Sequence, residues 1–439
     1  MLALVLAASA GLATSARAAT PPAPWVAVSD IHLAPNDRDP NPSPYGSDTD
    51  PVLFRSLLAE LHLRDPDPPV VIIAGDFLAH EFNRRNAAGT MAHIAARFNA
   101  LYPHAQFLIT LGNNDSPCGD YAAPIGGPFL AATAKAWAPL VDRRGAAPNF
   151  AKTFAHDGSY VATLPIPGLR AVAINDVSFS LRTNDSCAAG INPRSNSLGD
   201  LTRSLHQAPP GSHTWLLLHI PPGIDAYSTS YLAHRLAVIP FMRPNVRAAL
   251  DAAIADPYND ISLVVAGHTH KFAYRISSGA HPVPMLLVPS VSPIFSNAPS
   301  FLELGVGPRG TIGTVREISY RSGAWQPLGD LAALGVRAFD APQLLALQAR
   351  LAQSRSDREQ FARLYSGGAP PEITESNWRT YWCSATAFSA SAFQRCDDQH
   401  GLSILLPRAL ELAALAVAIV LLAGGILFVA FRFEKGRPA

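Results

Sequence analysis

The chain has 439 residues, 48% hydrophobic and 15% charged, so it can bury a large core and lies outside the polar, highly charged composition of disordered proteins. Its 34 Lys and Arg against 33 Asp and Glu give a formal net charge of +1 without a long basic block, so nucleic acid is not an expected partner.

The N-terminal stretch MLALVLAASAGLATSARA has an apolar core of signal-peptide length before Ala16-Arg17-Ala18, a small-x-small cleavage pattern. Residues 1–19 are therefore expected to be an export signal, although no Lys or Arg precedes the apolar run. A body over 20–329 follows, in which short apolar runs alternate with helical patterns, the signature of an α/β layer structure. The predicted strands are WVAVS from Trp25, PVVIIAG from Pro69, FLITLG from Phe107, RAVAIN from Arg170, TWLLLH from Thr214 and ISLVVAG from Ile261. Helical stretches follow Asp50, Ala87 and Arg243. Segments 35–51 and 183–200 are rich in Pro, Asn, Ser, Asp and Gly and read as long surface loops near a functional edge.

Residues 330–407 change to a helical pattern, clearest in APQLLALQARLAQ and REQFARLYSG. Leu412 to Phe431 is uncharged and matches the thickness of a bilayer at helical rise, so a membrane-spanning helix is expected over 408–432. Arg432, Lys435 and Arg437 follow, and the positive-inside rule places the 433–439 tail in the cytoplasm and the body outside the inner or plasma membrane, periplasmic in a bacterium. An exported chain permits disulfides among Cys118, Cys187, Cys383 and Cys396. Of three connectivities, nearness favours Cys383 with Cys396, leaving Cys118 with Cys187.

Most of the predicted strands stop in the same chemistry. The first ends in Ser29-Asp30-Ile31-His32, the second in Gly75-Asp76, the third in Gly112-Asn113-Asn114-Asp115, the fifth at His219 and the sixth in Gly267-His268-Thr269-His270. Asp, Asn and His also serve as turn residues, and one such stop would mean little. Five of them suggest one site, because ligands of open α/β sheets gather at the carboxyl ends of the strands. Asp30 and His32, like His268 and His270, lie two apart, a spacing that points both side chains of an extended segment to one side. Carboxylate, imidazole and amide donors without a thiolate suit Zn, Mn or Fe, and seven of them suit two divalent ions sharing a carboxylate.

The ordered string DIH, GD, GNND, HIPPG and GHTH resembles the calcineurin-like metallophosphoesterases over roughly residues 25–305. GDFLAH, HIPPG and SVSPIFSNAPSF are similar to the acid-sphingomyelinase-like phosphodiesterase branch, which includes endopolyphosphatases. The resemblance implies a four-layer α/β/β/α sandwich with mixed sheets, here with a helical C-terminal extension. It makes Asp30, His32 and His270 ligands of one metal, Asn113, His219 and His268 ligands of the other, and Asp76 the bridge. His80 matches a histidine that protonates the leaving oxygen. Asn114 stands where most relatives carry a phosphate-side histidine, and an amide cannot deliver a proton. The implied activity is phosphoester hydrolysis by a hydroxide between two metals, on a lipid head-group phosphodiester, polyphosphate or nucleotide. The alternative is a membrane-anchored, non-catalytic phosphate- or lipid-binding module. Tyr45 and Asp50 resemble a variable substrate-side region, and Asp115 is expected to hydrogen-bond within its own loop.

Overall fold

The computed structural model describes residues 23–34, 45–80, 84–184, 187, 193–231, 237–400 and 415–416. The predicted signal lies outside the described residues, as does the predicted span apart from Leu415 and Ala416. No helix among the described residues is long and apolar enough to cross a membrane.

Among the described residues twelve strands form two sheets: β1 (Trp25–Val28), β2 (Val70–Ile73), β3 (Gln106–Ile109), β4 (Tyr160–Thr163), β5 (Leu169–Ala173), β6 (His213–Leu217), β7 (Ile261–Ala266), β8 (Ala273–Ile276), β9 (Pro284–Leu287), β10 (Ser300–Val306), β11 (Ile312–Arg321) and β12 (Ala324–Asp330). One sheet runs β12-β11-β10-β1-β2-β3 and the other β4-β5-β6-β7-β9-β8. Both are mixed. Strands β1, β2 and β3 pair in parallel while β10 to β12 add antiparallel, and β5, β6, β7 and β9 are parallel with antiparallel β4 and β8 at the edges.

The period of two along the second sheet divides its side chains between two cores. Ala171, Trp215, Leu217, Leu263 and Val265 join the larger core, where Trp215 meets Trp25 of the first sheet with ring centroids 5.2 Å apart. Their neighbours Val172, Leu216, Val264 and Met285 face Leu201 and Leu205 on one side helix and Val246, Leu250 and Ile254 on another. The layers are therefore helices, sheet, sheet and helices.

The helices are α1 (Pro51–Arg64), α2 (Ala87–Leu101), α3 (Gly127–Val141), α4 (Phe150–Asp157), α5 (Pro193–His206), α6 (Ala226–Ser230), α7 (Pro244–Ala255), α8 (Ala341–Gln353), α9 (Arg355–Tyr365), α10 (Trp378–Ser384) and α11 (Ala390–His400). Helix α1 starts where physical chemistry asks: Pro51 opens it, and the Asp50 carboxylate accepts the Leu53 N–H at 2.6 Å. Asp50 thus caps a helix. Helices α8 to α11 fold back on the second sheet through the Tyr274 hydroxyl on Gln348 and the Ile276 N–H on the Ala385 carbonyl. Disulfides join Cys118 to Cys187 and Cys383 to Cys396, the pairing that nearness favoured.

Asp65, at the end of α1, gives a test of the packing. Burial, then the Glu303 carboxylate, pushes its pKa from 3.8 up to about 7. The folded chain holds a proton there that the unfolded chain has released, so this residue costs stability as pH rises from about 4 through 7. Asp65→Asn is expected to raise the melting temperature at pH 8 by several degrees and to leave it unchanged at pH 4; equal shifts at both pH values would disprove the account.

Candidate metal centre

Five strand ends meet. Asp30 and His32 follow β1, Asp76 follows β2, Asn113 follows β3, His219 follows β6, and His268 and His270 follow β7. The chain reverses sharply at these ends, and Asp30, His32, Asp76, His268 and His270 all adopt positive φ, between 43° and 69°. Asp and His are among the non-glycine residues found there most readily, so the residue types that donate to a cation also suit the turn. Each such residue stores strain that the surrounding sheet holds in place. Two glycines allow the close approach. A Cβ on Gly112 would meet Asp76 Oδ1 at 2.1 Å, and one on Gly267 would meet Ser29 Oγ at 2.0 Å.

The ring orientations define the donor atoms. His32 Nδ1 lies 3.0 Å from the Leu78 carbonyl and His219 Nδ1 2.7 Å from that of Ala74; a carbonyl only accepts, so both Nδ1 atoms carry hydrogen and both Nε2 atoms are the ones left to face a cation. His32 Nε2 lies 3.4 Å from Asp76 Oδ2 and 3.2 Å from His270 Nε2, which is 3.3 Å from Asp30 Oδ1. His219 Nε2 lies 3.3 Å from the same Asp76 Oδ2 and 3.1 Å from Asn113 Oδ1. Asn113 is oriented by its NH2, which donates to Asp120 at 2.8 Å. Imidazole nitrogens and carboxylate oxygens converge, and Asp30 Oδ1 is buried with no hydrogen-bond partner. The donors form two sets, Asp30, His32, Asp76 and His270, and Asp76, His219 and His268, with Asp76 common to both. This chemistry fits two divalent cations of the Zn, Mn or Fe type.

The electrostatics agree for three of the four imidazoles, and the fourth, His219, must give up a proton when a cation binds. Burial lowers His32 to about 4 and His268 to about 3 and holds His270 well below its ordinary value, which leaves these rings neutral as ligands must be. Burial raises Asp30 to about 7. Burial would also depress His219, yet Asp76 and then Asp30 pull it up to about 10. The carboxylates thus draw positive charge into a largely buried site.

Both residues assigned to chemistry rather than ligation line the same cavity. His80 stacks on His32 with centroids 4.3 Å apart, and its Nδ1 lies 2.9 Å from Asp48 Oδ1. Asn114 directs its backbone N–H to Asp76 Oδ1 at 2.8 Å and its side-chain NH2 to Asp76 Oδ2 at 3.2 Å, so it steadies the shared carboxylate. Asp115 reaches beyond its own loop: it accepts from Gly112 but also from Phe77 and Leu78, clamping the ends of β2 and β3 together. Tyr45, the other residue of the supposed substrate-side region, is half exposed.

Several residues of the site carry no sequence signal. Asp48 lies in the Pro-rich loop and is joined to His80 only by the fold. Asp176 accepts the His219 and Ile220 N–H groups. Tyr121 stands edge-on to His268, and Arg182 lies over the Tyr121 ring, 4.2 Å from its centroid, with its charge at the cavity mouth. Tyr and Arg are too common on surfaces to be singled out unaided.

The calcineurin-like phosphoesterase profile matches residues 24–272, and the chain belongs to that family. Within it, the relationship is to the sphingomyelinase-like branch: the chain is 23% identical over 272 residues to Sphingomyelinase phosphodiesterase D of Dictyostelium discoideum, across 59% of this chain and 57% of that protein. The chain thus spans little more than half the length of this relative. Among solved structures it is similar to the calcineurin-like phosphoesterase YfkN from Bacillus subtilis, at 11% identity and a TM-score of 0.31, covering 75% of this chain and 96% of that one. It is also similar to the phosphopantetheinyl hydrolase PptH from Mycobacterium tuberculosis, at 15% identity and a TM-score of 0.31, covering 62% and 90%. The family activity is metal-dependent phosphoester hydrolysis.

Proposed function

We propose that the chain is a phosphodiesterase working with two divalent ions, held by Asp30, His32 and His270 and by Asn113, His219 and His268, with Asp76 between them. The observation that carries this reading is the single Asp76 oxygen lying 3.4 Å from His32 Nε2 and 3.3 Å from His219 Nε2. Such ions supply Lewis acidity: they neutralise phosphate charge and bring the pKa of water close to neutral. The protein's own groups do the rest. Asn114 and Asp115 hold the loops that aim the donors, and Arg182 offers a guanidinium to an anionic ester entering past Tyr121. Asp48 fixes His80 through Nδ1, leaving Nε2 to deliver a proton to the departing oxygen. The Dictyostelium relative's name brings a lipid head-group phosphodiester forward as substrate, with polyphosphate and nucleotides as comparisons.

The test is hydrolysis of bis-p-nitrophenyl phosphate by the purified chain, with ion content measured in the same preparation. Chelation is expected to abolish turnover, and Mn or Zn to restore it. Two bound ions without hydrolysis would favour a binding module, and no bound ion would end the proposal.

We further propose that residues 408–432 anchor the body on the extracytoplasmic face of the membrane, a reading supported by the uncharged run from Leu412 to Phe431 and the basic residues after it. The full chain is expected to stay in the membrane pellet through an alkaline carbonate wash; release into the supernatant would contradict the anchor.

A further inference from the structure

The cavity that begins at Asp76, Asn113 and His268 does not end there. It holds about 550 Å³ and continues to a far wall that the catalytic sheets do not supply. That wall is Phe361 and Tyr365 of α9, Ile373, and Trp378 and Tyr381 of α10, with Tyr227 of α6 opposite. Its volume suits a small organic group.

The polar atoms at this end are satisfied by one another. The Tyr381 and Tyr365 hydroxyls donate to Glu372 Oε1 at 2.7 and 3.4 Å, and the other Glu372 oxygen pairs with Lys271 Nζ at 3.2 Å. Gln348 accepts from the Tyr274 hydroxyl and donates to the Trp382 carbonyl, and Ser384 donates to the Tyr381 carbonyl. An incoming group therefore meets ring faces and aliphatic carbon with few free donors or acceptors. Lys271 balances Glu372, Arg358 pairs with Glu375 and Arg275 donates to the Pro222 and Ile224 carbonyls, so the charge there does not call for a cation. The chamber is continuous with the donor cluster.

We infer that the helical C-terminal extension closes a hydrocarbon-binding chamber onto the metal centre, and that this chamber takes the apolar substituent of a phosphoester whose phosphorus lies at Asp76. The inference rests on the phosphoesterase reading for its orientation, but its binding energy comes from burial of carbon and can be measured without turnover.

The experiment is calorimetry of the full-length, Mn-loaded chain with n-alkylphosphonates from methyl to hexyl. Kd is expected to fall by roughly three- to fourfold per methylene, following the transfer free energy of a buried CH₂. Two variants act in opposite directions. Ala226→Phe places a ring among Tyr365, Ile373 and Tyr381, against which Ala226 packs, and is expected to flatten the series while methylphosphonate binds as before. Ile373→Ala enlarges the chamber and is expected to favour the longest chains further. A wild-type Kd that ignores chain length would overturn the inference, as would a slope that survives Ala226→Phe, or tightening only when the chain ends in a trimethylammonium group. Turnover of bis-p-nitrophenyl phosphate in the same samples reports separately on the phosphoesterase reading. A preserved chain-length slope without turnover would refute that reading and keep the chamber.

Discussion

Asp76→Asn is expected to abolish hydrolysis and to strip divalent ions from a protein that still folds. The carboxylate has one oxygen between His32 Nε2 and His219 Nε2 and the other on the Asn114 N–H. Burial alone would favour its protonated form, but His219 and then His32 hold its pKa well below 3.8, so it is an anion wherever the site is assembled. Asn keeps the shape and removes the charge, and its oxygen can still accept the Asn114 backbone N–H, which is why the fold survives. Losing an outer-shell partner of a metal site already costs about 10–100-fold, and loss of the shared carboxylate should exceed that. Elemental analysis and hydrolysis rates on one preparation check the claim; full activity with both ions retained would dismantle the proposed centre.

His80→Gln should separate substrates by their leaving groups. For an alkyl phosphodiester, whose alkoxide must be protonated as it departs, turnover is expected to fall by about 10²–10⁴-fold, the usual range for a general acid. For a p-nitrophenyl ester, whose phenolate leaves unaided, little change is expected. Asp48→Asn should show the same contrast more weakly, because Asp48 only orients the ring, bonding both Nδ1 and the backbone N–H of His80. A merely structural role would slow both classes equally, so equal losses would remove His80 from the chemistry.

The legible part of the molecule was the part with strong local chemistry. Buried parallel strands such as Val70–Ile73 are short apolar runs, and the Asp, Asn or His that ends each one breaks the run abruptly. All seven predicted donors come together, since the ends of β1, β2 and β3 in one sheet face those of β6 and β7 in the other. Strands β4 and β8 to β12 were missed, β12 and β4 for the converse reason. β12 is largely exposed and carries Gln, Gly and Asp, and β4 alternates buried and exposed residues over only four positions. Asp48 sits in a loop whose composition announces only a loop, and it reaches His80 across 32 residues. The apolar chamber could not be read either. Phe361, Tyr365 and Tyr381 look like ordinary core aromatics until α9 and α10 are laid against α6.

The left-handed backbone at five donor positions also restricts which replacements the scaffold can accept. A β-branched residue at φ 69° is a steric outlier, so Thr at position 268, although its hydroxyl could approach a cation, would meet opposition from its own main chain. Substitutions at these corners are screened twice, by conformation and by coordination. Drift there should pass chiefly through Asp, Asn, His and Gly, of which the last supplies no donor.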